Sequence, residues 1–106
     1  MIGNGAAIFG CAGLTLGADE RDFFRDYDPL GFIIFARNVE TPAQLARLTA
    51  DLRDAVGRDA PVLVDQEGGR VQRLRAPHWR EWQAPLDTVQ RAGADAARVM
   101  ALRSTL

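Results

Sequence analysis

The sequence predicts an α/β fold of alternating parallel strands and helices, and three observations predict it. Apolar runs bounded by turn residues occur at 31–36 and 61–65, with the length and continuity of strands covered on both faces. A strongly signed helix lies between them, over 42–56. The connections are long enough for the crossovers that parallel pairing requires, which gives β-α-β-α-β over residues 6–65.

Each element has its own signal. Residues 6–16 are rich in small and apolar side chains and read as a strand with its exit. Asp19 and Glu20 then open a helix, where negative charge suits the helix dipole, and Phe23, Phe24 and Tyr27 give it an apolar side. Asp28-Pro29 stops it, because the residue before proline is pushed out of the α region. Gly31 to Ala36 forms the second strand, closed by Arg37 and Asn38.

The helix over 42–56 has Thr41 as N-cap, Pro42 at its first position and Gln44 three residues after the cap, the spacing of a capping box. Leu45, Leu48, Leu52 and Val56 recur at helical spacing, and Gly57 supplies the stop. Residues 75–85 hold Pro77, Pro85, Trp79 and Trp82 without a clear period, and read as a long loop able to cover a site. A last helix is expected from about 87 to 102, with Val89, Ala92, Ala96, Val99 and Met100 on its apolar side. There is no internal repeat, linker or low-complexity tract, so residues 1–106 read as a single partial domain.

Composition narrows the function. The 106 residues carry 13 basic and 14 acidic side chains for a net charge of −1, which gives no footprint for nucleic acid or an anionic membrane surface. All the basic residues are arginines, and the absence of lysine leaves no P-loop lysine. No stretch approaches the ~20 apolar residues of a transmembrane helix. Cys11 is the only cysteine, which excludes an internal disulfide and fits a reducing compartment. Ile8-Phe9-Gly10-Cys11 faintly resembles a lipoprotein cleavage site but lacks a basic lead. The expected location is the cytoplasm. The start, Gly3-Asn4-Gly5-Ala6-Ala7-Ile8, lacks the third glycine and preceding strand of a dinucleotide-binding turn.

The chemistry concentrates in Val62-Leu63-Val64-Asp65-Gln66-Glu67-Gly68-Gly69-Arg70-Val71-Gln72-Arg73, where a strand runs into two carboxylates, a Gly-Gly hinge and two guanidiniums. Parallel strands carry chemistry at their carboxyl ends, and Asp65 is at this one. Asp65 and Glu67 lie at i and i+2 of an extended segment, so a carboxylate pair on one face is the first chemical expectation, suited to glycoside hydrolysis or a metal. The structural alternative pairs Glu67 with Arg70 or Arg73. Gly68-Gly69 permits a sharp turn that returns Arg70 and Arg73 toward the strand end, where an arginine fork suits hydroxyls or a carboxylate. Arg37 and Asn38 occupy the equivalent end of the preceding strand and read as structural. His78, the lone histidine, forms neither a metal site nor a triad, and Trp79 and Trp82 fit a sugar-facing wall or a packing cap equally.

Those residues resemble the N-terminal part of bacterial β-N-acetylglucosaminidases of glycoside hydrolase family three, the enzymes of peptidoglycan recycling. Three blocks carry the resemblance over roughly residues 6–100: Gly31-Phe32-Ile33-Ile34-Phe35-Ala36-Arg37-Asn38, Pro42-Ala43-Gln44-Leu45, and above all Val64 to Arg73. The resemblance implies a (β/α)8 barrel of the TIM type, a retaining reaction through a covalent glycosyl-enzyme, and terminal N-acetylglucosamine of muropeptides as substrate. It implies no metal and no organic cofactor. It makes Asp65 a ligand of sugar hydroxyls and Arg73 a member of the same subsite, with Glu67 as scaffold, which corrects the carboxylate-pair expectation.

The family's nucleophilic aspartate lies further along the chain, and its acid/base histidine follows a Lys-His-Phe-Pro-Gly-His-Gly motif. Neither region occurs in these 106 residues, and a closed barrel needs about 250. The chain is therefore expected to be a fragment, the incomplete β-α-β-α-β opening of the barrel, that supplies no catalytic residue and does not hydrolyse glycosides alone. Its open strand edges give the competing expectation: a non-catalytic assembly or binding module that pairs with another copy or a C-terminal complement.

Overall fold

A computed structural model describes residues 5–105; Gly3 and Asn4 of the glycine-bearing start, and Leu106, lie outside them. The chain divides into two compact units, Met1–Asp65 and Gln66–Leu106. The first contains β1 (Gly5–Phe9), α1 (Ala18–Tyr27), β2 (Pro29–Ile34), α2 (Pro42–Val56) and β3 (Val62–Val64). Its sheet has the order β1-β2-β3 with both pairings parallel, so the expected β-α-β-α-β unit is present. Phe32 pairs with both Phe9 and Val62, and Ile34 with Val64.

Two helices cover this sheet because their apolar side chains recur at helical spacing. Leu48, Leu52 and Ala55 of α2 are buried with Phe32 and Ile34 of β2, Phe24 of α1, Cys11 and Ala60. The Phe24 and Phe32 rings meet edge to face at 5.1 Å, a favoured aromatic geometry. Phe9 adds a T-shaped contact with Tyr27 at 5.0 Å, which fixes α1 over β1. Gly31 is required by a close approach: a Cβ there would stand 2.6 Å from the Pro61 carbonyl oxygen. At the sheet's other end Arg58 donates to Asp28 Oδ1 at 3.1 Å, to the Leu30 carbonyl at 3.1 Å and to the Pro29 carbonyl, tying the turn after α2 to the start of β2.

Helix ends follow the expected chemistry with one difference. The Gln44 N–H donates to Thr41 Oγ1 at 3.1 Å, and Gly57 closes α2 at φ 67°. The reciprocal arm of the box is displaced by one residue: Gln44 Oε1 accepts from the Glu40 N–H, leaving its amide nitrogen for the Leu14 and Asn38 carbonyls. Asp28 caps α1 in the left-handed region at φ 55°, a conformation that aspartate tolerates better than most residues.

The second unit departs from expectation. Gln66–Gly68 and Val71–Gln72 form an antiparallel hairpin, β4 and β5, where the sequence predicts an extended segment and a sharp Gly-Gly turn but no second strand paired to it. The single helix expected over 87–102 is two, α3 (Pro85–Ala92) and α4 (Ala96–Thr105), because Gly93 adopts φ 57° and breaks the α path between them. In the first unit, β1 ends at Phe9 and residues 10–17 are irregular. The strand expected over 31–36 lies at 29–34 and passes into a single 3-10 turn, Ala36–Asn38. The run 62–64 is not covered on both faces either. It is the edge strand of the described sheet, and Leu63 is 44% exposed.

Truncating Leu52, which is fully buried, is expected to lower stability by about 2–5 kcal/mol. Urea denaturation of Leu52→Ala beside the unaltered chain measures it; a shift under 1 kcal/mol would mean that α2 does not hold this core.

Candidate functional site

Because β1, β2 and β3 are parallel, their carboxyl ends lie along one edge of the sheet. That edge carries Gly10 and Cys11 after β1, Phe35 to Asn38 after β2, and Asp65 after β3. Val64 pairs with Ile34, so Asp65 stands level with Phe35. Open α/β sheets bind ligands at this edge. Asp65 is half-buried there, as the single residue between β3 and β4.

Asn38 builds this edge and is fully buried. Its Oδ1 accepts from the Phe35 N–H at 2.9 Å, while its Nδ2 donates to the Cys11 carbonyl at 3.1 Å and the Gly13 carbonyl at 2.8 Å. One amide thus joins the exits of β1 and β2, and the structural reading of Asn38 holds. Arg37 is structural as well: its Nε donates to the Cys11 carbonyl at 3.0 Å and its guanidinium lies 4.9 Å from the Phe35 ring centre.

Cys11 is 3% exposed, and its sulfur lies 3.4 Å from Asn38 Nδ2. Burial first, then the Glu20 carboxylate, pushes its thiol up from the ordinary range, against smaller lowering by Arg37 and a backbone hydrogen bond. Such a thiol is a core hydrophobe, not a nucleophile.

In the second unit the Gly-Gly pair turns the chain as expected. Gly68 has φ 107° and Gly69 φ 62°, and side chains at either would strike the 83–84 segment: the Gln83 carbonyl crowds Gly68, and Ala84 Cβ would stand 2.9 Å from a Cβ on Gly69. The Gly69 N–H donates to the Trp82 carbonyl at 2.8 Å, which pins the hairpin to the loop. Arg103 of α4 donates to Thr88 Oγ1 at 2.9 Å and to the Glu67 carbonyl, and lies over the Trp82 ring at 5.3 Å.

The site residues expected from sequence fall in different settings. Asp65 closes the first unit, whereas Glu67, Arg70 and Arg73 belong to the second. Glu67 and Arg70 are exposed, and it is the carbonyl of Glu67 that accepts from Arg103. Arg73 is half-buried just after β5. His78 is exposed and meets the Trp79 ring edge to face at 5.8 Å. Trp82 lines a cleft of about 430 Å³ with Gln66, Glu67, Pro85, Met100 and Arg103. Neither Asp65 nor Arg73 lines it. Among the described residues no group of three or more His, Cys, Asp or Glu side chains could hold a metal, and no helix is long and apolar enough to cross a membrane.

Sequence reasoning missed the glutamines. Gln72 is 2% exposed, donates to Glu81 Oε2 at 2.6 Å and accepts from the Trp82 N–H at 2.9 Å. Gln66 accepts from the N–H groups of Arg73 and Leu74 at 3.2 and 3.1 Å. Their signal was strand alternation: Gln66 and Gln72 are register partners across the hairpin.

Removing the amide of Asn38 takes the partner from the Phe35 N–H and from the Gly13 carbonyl, while the Cys11 carbonyl keeps Arg37, so Asn38→Ala should cost about 3 kcal/mol, against about 1 for Thr41→Ala at the half-buried cap. Equal losses in urea denaturation would sink the keystone role of Asn38. Cys11 should react with a thiol reagent orders of magnitude more slowly in the native chain than in denaturant. Its raised native value makes its stabilising contribution complete below the unfolded thiol's range and lost as pH rises through the native one, so stability should decline in alkali and Cys11→Ala should flatten that decline.

No protein-family model matches the chain. It is 42% identical over 91 residues to a beta-hexosaminidase of Xylella fastidiosa, covering 86% of this chain and 26% of that protein. It is 48% identical over 71 residues to a beta-hexosaminidase of Pseudomonas aeruginosa, covering 67% of this chain and 21% of that protein. Its structure resembles that of NagZ from Neisseria gonorrhoeae in complex with zinc ion, with a TM-score of 0.79 and 30% identity over 92% of this chain and 29% of that one. The same protein in complex with N-trifluoroacetyl-D-glucosamine matches with a TM-score of 0.77 and 31% identity, over 92% and 28%. The chain spans about a quarter of the length of these relatives, and in sequence and fold it matches an N-terminal part of a NagZ-like bacterial hexosaminidase.

Proposed function

We propose that this chain supplies the opening of a family-three glycoside hydrolase barrel, as one partial domain, and that the whole enzyme removes terminal N-acetylglucosamine from muropeptides during peptidoglycan recycling in the cytoplasm. The observation that carries this reading is the 42% identity to a beta-hexosaminidase over 91 residues, 86% of this chain and too long a span to leave out the motif from Asp65 to Arg73. The analogue bound by the Neisseria protein, N-trifluoroacetyl-D-glucosamine, supports the sugar class.

Within that reading Asp65 accepts hydrogen bonds from hydroxyls of the terminal sugar. A carboxylate at the end of a parallel strand can take several such bonds, and charge-assisted bonds are about twice as strong as neutral ones. Arg73 donates to the same sugar through its guanidinium. Neither residue breaks the glycosidic bond. A retaining hydrolase needs a nucleophile and an acid/base pair, and this reading places both in the part of the enzyme that these residues do not include. No metal or organic cofactor takes part.

A second reading is favoured by the exposure of Leu63 on β3 and Ile8 on β1, both 44%, which leaves apolar side chains on the two outer strands. Those edges would pair with a second copy or a C-terminal complement, making the chain an assembly module.

The purified chain should show no turnover of a chromogenic β-N-acetylglucosaminide, yet N-acetylglucosamine should shift the amide resonances at Asp65 and Arg73, and Asp65→Ala should remove both shifts. Turnover that Asp65→Ala abolishes would put catalysis within these residues. A folded chain whose resonances ignore the sugar, and which self-associates with concentration, would replace the hydrolase reading with the assembly one.

A further inference from the structure

Arg73 stands where the β4–β5 hairpin ends and regular strand pairing stops. Gln66 and Gln72 are the register partners at that end, and the two residues that follow are a bend. An arginine there, with a long, rotamer-rich side chain, needs a fixed root if its guanidinium is to meet a ligand in one geometry.

The root is held by a side chain. Gln66 Oε1 accepts from the Arg73 N–H at 3.2 Å and from the Leu74 N–H at 3.1 Å. Gln66 Nε2 donates to the Leu74 carbonyl at 2.7 Å. One primary amide therefore grips the peptide units on both sides of the Arg73 Cα. An amide is the side chain suited to this, since it alone offers an acceptor with two lone pairs beside a donor of two protons. Gln72 braces the same point: its Nε2 donates to the Leu74 carbonyl at 3.3 Å, while its bonds to the Arg80 carbonyl, Glu81 and Trp82 anchor it to the following loop.

We propose that Gln66 is the positioning residue for Arg73: it holds the backbone at the hairpin's end with a side-chain clamp, and thereby fixes the arginine that contacts the sugar. This rests on the reading of Arg73 given above. Gln66 acts through Arg73 and touches no reacting atom. Its neighbours in the motif, Asp65 and Glu67, cannot substitute, because a carboxylate offers no donor to the Leu74 carbonyl at neutral pH.

Two measurements on the full chain separate the clamp from the sugar reading. The first is amide hydrogen exchange by NMR in the unaltered chain, Gln66→Met and Gln66→Glu. Gln66→Met should lose protection at the Arg73 and Leu74 amides, while the Gly69 amide, bonded to the Trp82 carbonyl, and the amides of α2 stay protected. Gln66→Glu, which keeps the acceptor, should retain protection at both. The second is titration with N-acetylglucosamine, in which Gln66→Met should bind about tenfold more weakly, the scale of one net hydrogen bond, and Gln66→Glu should recover part of that loss. Unchanged protection in Gln66→Met overturns the clamp. Lost protection with unchanged sugar affinity overturns the positioning role and leaves the sugar reading intact. Global loss of protection in Gln66→Met, with Gln66→Glu indistinguishable from it, makes Gln66 a folding residue only and overturns the inference. An unaltered chain that ignores the sugar, with both amides protected as expected, fails the sugar reading and removes the ligand from the inference while the clamp stands.

Discussion

The buried amide of Asn38 holds the functional edge of the sheet in place. Parallel strands end without a shared turn, so nothing in the ladder fixes the loops that leave β1 and β2 relative to each other. Asn38 supplies the missing link by accepting from Phe35 and donating to the carbonyls of Cys11 and Gly13. Gln44 extends the link, because its amide nitrogen reaches the Asn38 and Leu14 carbonyls while its oxygen takes the Glu40 N–H. Two amides therefore place the start of α2 and both strand exits. Buried polar groups so fully paired are rigid, since every alternative arrangement leaves a donor or acceptor unpaired in a low-dielectric interior.

The second unit uses the same device with different residues. Its hairpin, with strands of Gln66–Gly68 and Val71–Gln72, is too short to be stable by strand pairing alone. Gln72 and Gln66 compensate by bonding to the backbone of the following loop, and Gly68 and Gly69 let that loop pack directly on the turn. Arg103 then ties α4 to β4 through the Glu67 carbonyl and covers one face of Trp82. Surface ion pairs such as Arg21 with Asp54, at 3.2 Å and well exposed, contribute little beside these contacts.

Function follows from where this scaffolding leaves the charged side chains. Asp65 stands one residue past a paired strand, level with the segment that Asn38 fixes, so its backbone position is set by two rigid neighbours. Glu67 has the same formal charge in the same motif but is exposed, with its carbonyl committed to Arg103. That difference separates a ligand candidate from scaffold more firmly than their i, i+2 spacing does. The outer strands, with Leu63 and Ile8 partly exposed, are apolar edges of the kind that proteins ordinarily cover or blunt.

Much of the first unit was legible in the sequence, because its signals are local. The Thr41 cap, Pro42, the leucine period and Gly57 define α2 to its end residues, and Asp28-Pro29 separates α1 from β2. The motif from Asp65 to Arg73 likewise carried the family resemblance that the relatives in sequence and structure bear out. What the sequence could not decide was long-range. The exposure of Leu63 depends on whether another strand lies beside β3, and the break at Gly93 on a backbone angle that no helical period reports. The roles of Asn38, Gln66 and Gln72 were equally hidden, since an amide looks alike in a turn, on a surface or in a core. Only tertiary structure brings their partners, up to 27 residues away for Asn38, within hydrogen-bonding distance, and that placement decides which polar residues build the site and which only face water.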